Sequence, residues 1–107
     1  MIRFTLHVPE QYNDGTNVGR EVLGEIEYLL LSYVGGFTLT HGIGAWRSDD
    51  GTIYRESVRL YAADSDDPDV GEKLQRLAAR VADALRQEAV YLTTAVIGTE
   101  LVVPTHA

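Results

Sequence analysis

The stretch Phe37–Ala62, FTLTHGIGAWRSDDGTIYRESVRLYA, decides how this chain folds. Two runs rich in Thr, Ile, Val, Tyr and Trp flank Ser48-Asp49-Asp50-Gly51-Thr52, and Asp-Gly between such runs signals a β-hairpin. A two-residue type I′ turn centred on Asp50-Gly51 gives strands Phe37–Arg47 and Ile53–Ala62. In that register Trp46 faces Arg55, Ala45 faces Glu56 and Leu60 faces His41.

Upstream of the hairpin, Val22, Leu23, Ile26, Leu29, Leu30 and Tyr33 recur at three- and four-residue spacing. This predicts a helix over 17–34, N-capped by Asn17 and stopped at Gly35-Gly36. Before it, Ile2, Phe4, Leu6 and Val8 alternate with polar residues up to Pro9, the pattern of a half-buried strand. Downstream, Asp67-Pro68 reads as a helix start, and Val70, Leu74, Leu77, Ala78, Val81 and Leu85 form an apolar stripe. Ala89–Ile97 reads as a last strand, with a short extra strand at Glu100–Val103 and Pro104 closing the ordered part.

The order β-α-β-β-α-β defines an α+β ferredoxin-like sandwich: a four-stranded antiparallel sheet with two helices on one face. A single domain over residues 1–104 is expected, followed by a short tail at 105–107. One sheet face is then left open. Alternation places Arg3, Thr5, His7, Thr38, Thr40, Trp46, Arg55, Ser57, Arg59, Tyr61, Tyr91 and Thr93 there. Val58 and Leu60 fall on the helix side, where Tyr54 and Glu56 continue their parity.

The open face therefore gathers Arg and aromatic side chains on a chain of net charge −7, with 16 acids against 9 bases. That balance disfavours binding to nucleic-acid backbone. Arg3, Arg55 and Arg59 are expected to hold an anion, with Trp46, Tyr61 and Tyr91 stacking or lining the site. Glu56, with His41 on the same parity, is the candidate acid or base. No cofactor is expected: P-loop, nucleophile-elbow and His-Glu-x-x-His patterns are absent, and Gly42-x-Gly44 lies inside a strand rather than at a strand-to-helix turn. No metal is expected either, because the chain has no cysteine, its three His lack ligand spacing, and Asp64–Asp69 lacks EF-hand spacing. The opening residues alternate rather than form a signal peptide, and no apolar run is long enough for a bilayer, so a cytoplasmic protein is expected.

Around the hairpin the chain resembles a family of small bacterial proteins of unknown function. Their pattern is Gly-Leu-Thr, Gly-x-Trp, a turn glycine, Arg-Glu and a late Gln-Glu-Ser-Val. Here the matching residues are Gly36-Phe37-Thr38, Gly44-Ala45-Trp46, Gly51, Arg55-Glu56 and Gln87-Glu88-Ala89-Val90, over roughly residues 35–97. The resemblance implies that Trp46, Arg55 and Glu56 act as a unit and assigns no reaction.

The leading expectation is a non-catalytic module that pairs as a homo-oligomer, a dimer through the open face, and binds a small anionic ligand or an acidic partner surface. One alternative is a small dimeric ferredoxin-like-barrel enzyme using Glu56 or His41 as acid or base. Another is a phage- or plasmid-type inhibitor that masks a protein partner.

Overall fold

A computed structural model describes residues 1–105; the rest of the expected 105–107 tail lies outside the described residues. The elements run β1 (Ile2–Pro9), α1 (Arg20–Val34), β2 (Thr38–Arg47), β3 (Ile53–Ser65), α2 (Val70–Ala84) and β4 (Leu92–Val96). The strands form one sheet in the order β2-β3-β1-β4, with antiparallel neighbours throughout. This is the ferredoxin-like arrangement the element order implies.

The core lies between the helices and one sheet face. The whole α2 stripe is buried, from Val70 through Leu74, Leu77, Ala78 and Val81 to Leu85. It meets Phe4, Leu6 and Val8 of β1 and Leu23, Ile26 and Leu30 of α1. Burying a side chain of this kind stabilises the fold by about 1.5–3 kcal/mol before entropy is counted. α2 starts at Val70 with Asp69 in the N-cap position, two residues later than Asp67-Pro68 suggests; in the turn before it the Asp67 carboxylate accepts the Asp69 N–H at 2.9 Å.

Several boundaries differ from those read from sequence. α1 begins at Arg20, because Asn17 instead bridges to Gln11 and Val18 is buried in the core. β3 runs on to Ser65, which draws Asp64 out of the acidic loop and opposite Arg3. β4 is confined to Leu92–Val96, and Glu100–Val103 forms no strand within the chain.

The consequential correction is the hairpin register. The turn is not type I′. Gly51 N–H donates to the Ser48 carbonyl at 3.0 Å, and Ser48 N–H to the Thr52 carbonyl at 2.9 Å. Gly51 has φ +87° while Asp50 has no positive φ, which describes a three-residue loop with a glycine bulge. Trp46 therefore pairs with Tyr54, Arg55 with Ala45, Glu56 with Gly44 and His41 with Arg59. One residue of slip exchanges the two faces of β3.

Asp50 holds this loop by accepting from the Ser48 hydroxyl and, at 2.9 Å, from Thr52 N–H. Those bonds, the Ser48 one first, pull its carboxyl down to about 2. A depressed carboxyl stabilises the fold at neutral pH, and the contribution is lost as pH falls from about 4 towards about 2. Gly51→Ala is expected to lower stability by about 1–2 kcal/mol, because only glycine adopts this φ freely. Thermal denaturation of the two proteins checks it.

Candidate functional site

The outer half of the β2–β3 hairpin extends past the helices and is exposed on both faces. The molecule measures 57 × 26 × 25 Å, and its radius of gyration is 15.8 Å. A compact domain of this length would have about 13 Å. Two clusters of polar and aromatic side chains sit on opposite faces of the hairpin, one on this arm and one nearer its base.

The open face carries the first. Trp46 and Tyr54 stack across the strands with ring centroids 4.6 Å apart and planes within 19°. Both rings remain about half exposed, at 54% and 46%. Glu56 follows Tyr54 on the same face and leans over Gly44; a β-carbon there would lie 3.7 Å from its Cγ and 4.0 Å from its Oε1. Gly42 continues the bare stretch of β2, backed by Leu60. Two glycines at alternate positions leave a smooth trough where a ligand or another backbone can approach closely. Among the described residues Glu56 makes no side-chain hydrogen bond or ion pair.

The helix side carries the second. Arg59 Nη1 donates to Glu27 Oε2 at 3.1 Å and to the Tyr61 hydroxyl at 3.2 Å, and Tyr61 donates to the same Glu27 oxygen at 2.9 Å. Beside this triangle His41 Nδ1 lies 2.8 Å from Glu10 Oε1. Burial pushes the Tyr61 phenol up to about 12, with the neighbouring Glu27 adding to the effect. Arg59 is held above its ordinary value, first by its bond to Tyr61 and further by the charges of Glu27 and Glu10. Its Nε is buried without a hydrogen-bond partner among the described residues.

The structure thus divides the expected anion site. Arg55, Arg59 and Tyr61 lie on the helix side, away from Trp46, so Trp46 does not pair with Arg55. Arg3 stays on the open face, but its Nε and Nη2 donate to the Asp64 carboxylate, at 2.8 and 3.0 Å. Tyr91 is also on the open face, edge-on to His7 at 5.9 Å, and takes no part in the hairpin cluster. Glu56 is on the open face and His41 on the helix side, so they cannot share a proton directly.

Sequence reasoning passes over Tyr54, Glu10 and Glu27. Tyr54 was recoverable from its position two residues before Glu56; the two glutamates join through tertiary packing and leave no local signal. Another groove lies beside α2, lined by Ala78, Ala82, Asp83, Glu88, Ala89 and Leu92, and carries neither a cationic side chain nor an aromatic ring. Among the described residues no His, Asp and Glu side chains gather to hold a metal, and no helix is long and apolar enough to cross a membrane.

No family model and no curated protein matches the sequence. Solved structures do match in shape. A phage SAM lyase in complex with S-methyl-5'-thioadenosine superposes with a TM-score of 0.68 at 14% identity, covering 88% of this chain and 79% of that one. CutA from Pyrococcus horikoshii gives 0.62 at 13% identity over 94% and 88% of the two chains. The PII-like protein CutA from Nostoc sp. PCC 7120 gives 0.52 at 14% identity over 91% and 81%. At these identities the likeness is one of fold.

Proposed function

We propose that this protein is a small homo-oligomeric enzyme that binds S-adenosylmethionine on the open face of its hairpin and releases S-methyl-5'-thioadenosine. The observation that carries the reading is an unpaired Glu56 lying over Gly44 beside the stacked Trp46–Tyr54 pair. The substrate offers what this face receives. Its adenine has a π-face for the exposed indole and phenol rings, and its cationic sulfonium and ammonium favour a carboxylate and aromatic faces. The bare glycine trough lets the ligand lie against the strand.

Glu56 supplies the counter-charge that orients the cationic chain, a positioning role that needs no redox partner. As the bond between sulfur and the γ-carbon of the amino-acid chain breaks, its electron pair stays on sulfur and a neutral thioether leaves. The substrate's own carboxylate oxygen bonds to that carbon and closes a lactone that keeps the ammonium. The likeness to a SAM lyase supports this chemistry, and Glu56 is one of the residues at which the enzyme alternative places acid–base work.

A flat sheet face does not enclose a ligand, whereas small-molecule sites bury most of the ligand surface. A second copy of the chain completes the site. Support for self-association comes from the arm itself, where Ile43, Trp46, Ile53 and Tyr54 are 69%, 54%, 61% and 46% exposed.

Titration calorimetry with S-methyl-5'-thioadenosine and chromatography of S-adenosylmethionine incubated with the protein test the reading. Binding below about 1 mM and appearance of the thioether are expected. Neither binding nor product from an oligomeric preparation would end the proposal.

A second reading keeps the anion. Arg47 and Arg55 lie on the helix side of the arm without ion pairs among the described residues, on the same face of the hairpin as Arg59. That surface suits a small anionic ligand or an acidic partner surface bound without catalysis. Phosphate binding that disappears in Arg55→Ala, in a protein inert towards the nucleoside, favours it.

A further inference from the structure

Among the described residues two β-prone stretches of backbone are left unpaired, one edge of a strand and one segment outside the sheet. β2 is an edge strand. Ser48 and Thr52 form a hydrogen-bonded pair at the turn. Antiparallel alternation then turns the N–H and C=O groups of Leu39, His41, Ile43, Ala45 and Arg47 outwards to the free edge. That edge is long and contains no Pro, Lys, Asp or Glu to discourage pairing.

The other segment is Thr99–Val103, rich in Thr, Leu and Val and ended by Pro104. Its composition predicts a strand, yet it forms none, and Leu101, Val102 and Val103 are 90%, 83% and 66% exposed. We propose that Thr99–Val103 of one copy pairs as an added strand along the β2 edge of a second copy.

Geometry selects the second copy. The segment leaves from β4, on the opposite edge of the sheet from β2. A strand added outside β2 lies four strand spacings from β4, about 19 Å away. Six residues reach at most about 20 Å, leaving none to pair within the same molecule. Charge agrees: Glu100 is the single charge of the segment, and the β2 edge carries Arg47 and His41. The inference does not depend on the ligand, because it concerns the edge of the arm rather than its face.

Amide hydrogen exchange of the full chain by NMR tests it, beside a Leu101→Pro/Val102→Pro variant. Two adjacent prolines remove the ladder donor whichever residue points inwards, and both sites are too exposed for the core to suffer. In the parent protein two or three successive amides among those of residues 39, 41, 43, 45 and 47, the number a five-residue strand covers, are expected to be protected and to lose protection on dilution. In the variant they should exchange at least about tenfold faster, with β1 amides unchanged. Unprotected amides in the parent, protection indifferent to dilution, or equal protection in the variant would each overturn the proposal.

Discussion

Tyr61→Ala is expected to lower the unfolding free energy by about 3–5 kcal/mol. The side chain is 1% exposed and packs edge-on against Phe37 at a centroid distance of 5.2 Å. Truncation leaves a large cavity under the hairpin and removes the hydroxyl that joins Arg59 to Glu27. Tyr61→Phe separates the terms: the packing survives, and a loss of about 1–3 kcal/mol is expected from polar groups left without their partner. Urea denaturation of the three proteins measures both. The phenol adds a pH signature. Its folded value is raised to about 12, against about 10 in an unfolded chain, so folding favours the protonated form. The stabilisation is complete below about pH 10 and is lost as pH rises from about 10 to about 12. An ultraviolet titration should show one of the six tyrosines ionising near 12, and Tyr61→Phe should remove that step.

What the sequence disclosed, and where it stopped, turns on a single strand. β1 and the α2 stripe each have one apolar parity or face, and both are buried as their spacing requires except at Ile2, which is exposed at the strand end. β3 is different. Val58 and Leu60 argue for one face and Tyr61 and Ala63 for the other, so hydrophobic alternation alone cannot orient it. The decision passes to the turn. There Asp50-Gly51 suits both a two-residue loop and a three-residue loop with a glycine bulge, which differ by one residue of register. Pairing of β1 with β3 settles it, since Leu6 opposite Tyr61 and Phe4 opposite Ala63 place that parity under the helices. Trp46 and Glu56 were legible as residues of interest, but the ring beside Trp46 is Tyr54 rather than the guanidinium of Arg55. The ion pairs of Arg3 with Asp64 and Arg59 with Glu27 join residues 61 and 32 positions apart, which no local pattern encodes.

The corrected register gives the proposed enzyme a test in which ligand charge separates the roles of two side chains. Glu56→Gln removes the counter-charge and keeps size and polarity. It is expected to weaken S-adenosylmethionine binding by about 10–100-fold, the equivalent of one charge-assisted contact, and to cut thioether release further. The neutral S-methyl-5'-thioadenosine should bind the variant within about threefold of the parent protein, because it brings no cation to Glu56. Trp46→Ala removes half of the stacked pair instead, and should weaken both ligands alike by about 5–100-fold, since both carry the adenine. Neither change should affect folding, because Trp46 is 54% exposed and Glu56 is also exposed at the surface of the arm. If Glu56→Gln weakened both ligands equally, its carboxylate would be shaping the adenine site rather than holding the cation. If both variants bound and turned over as the parent does, this face would have no part in the reaction.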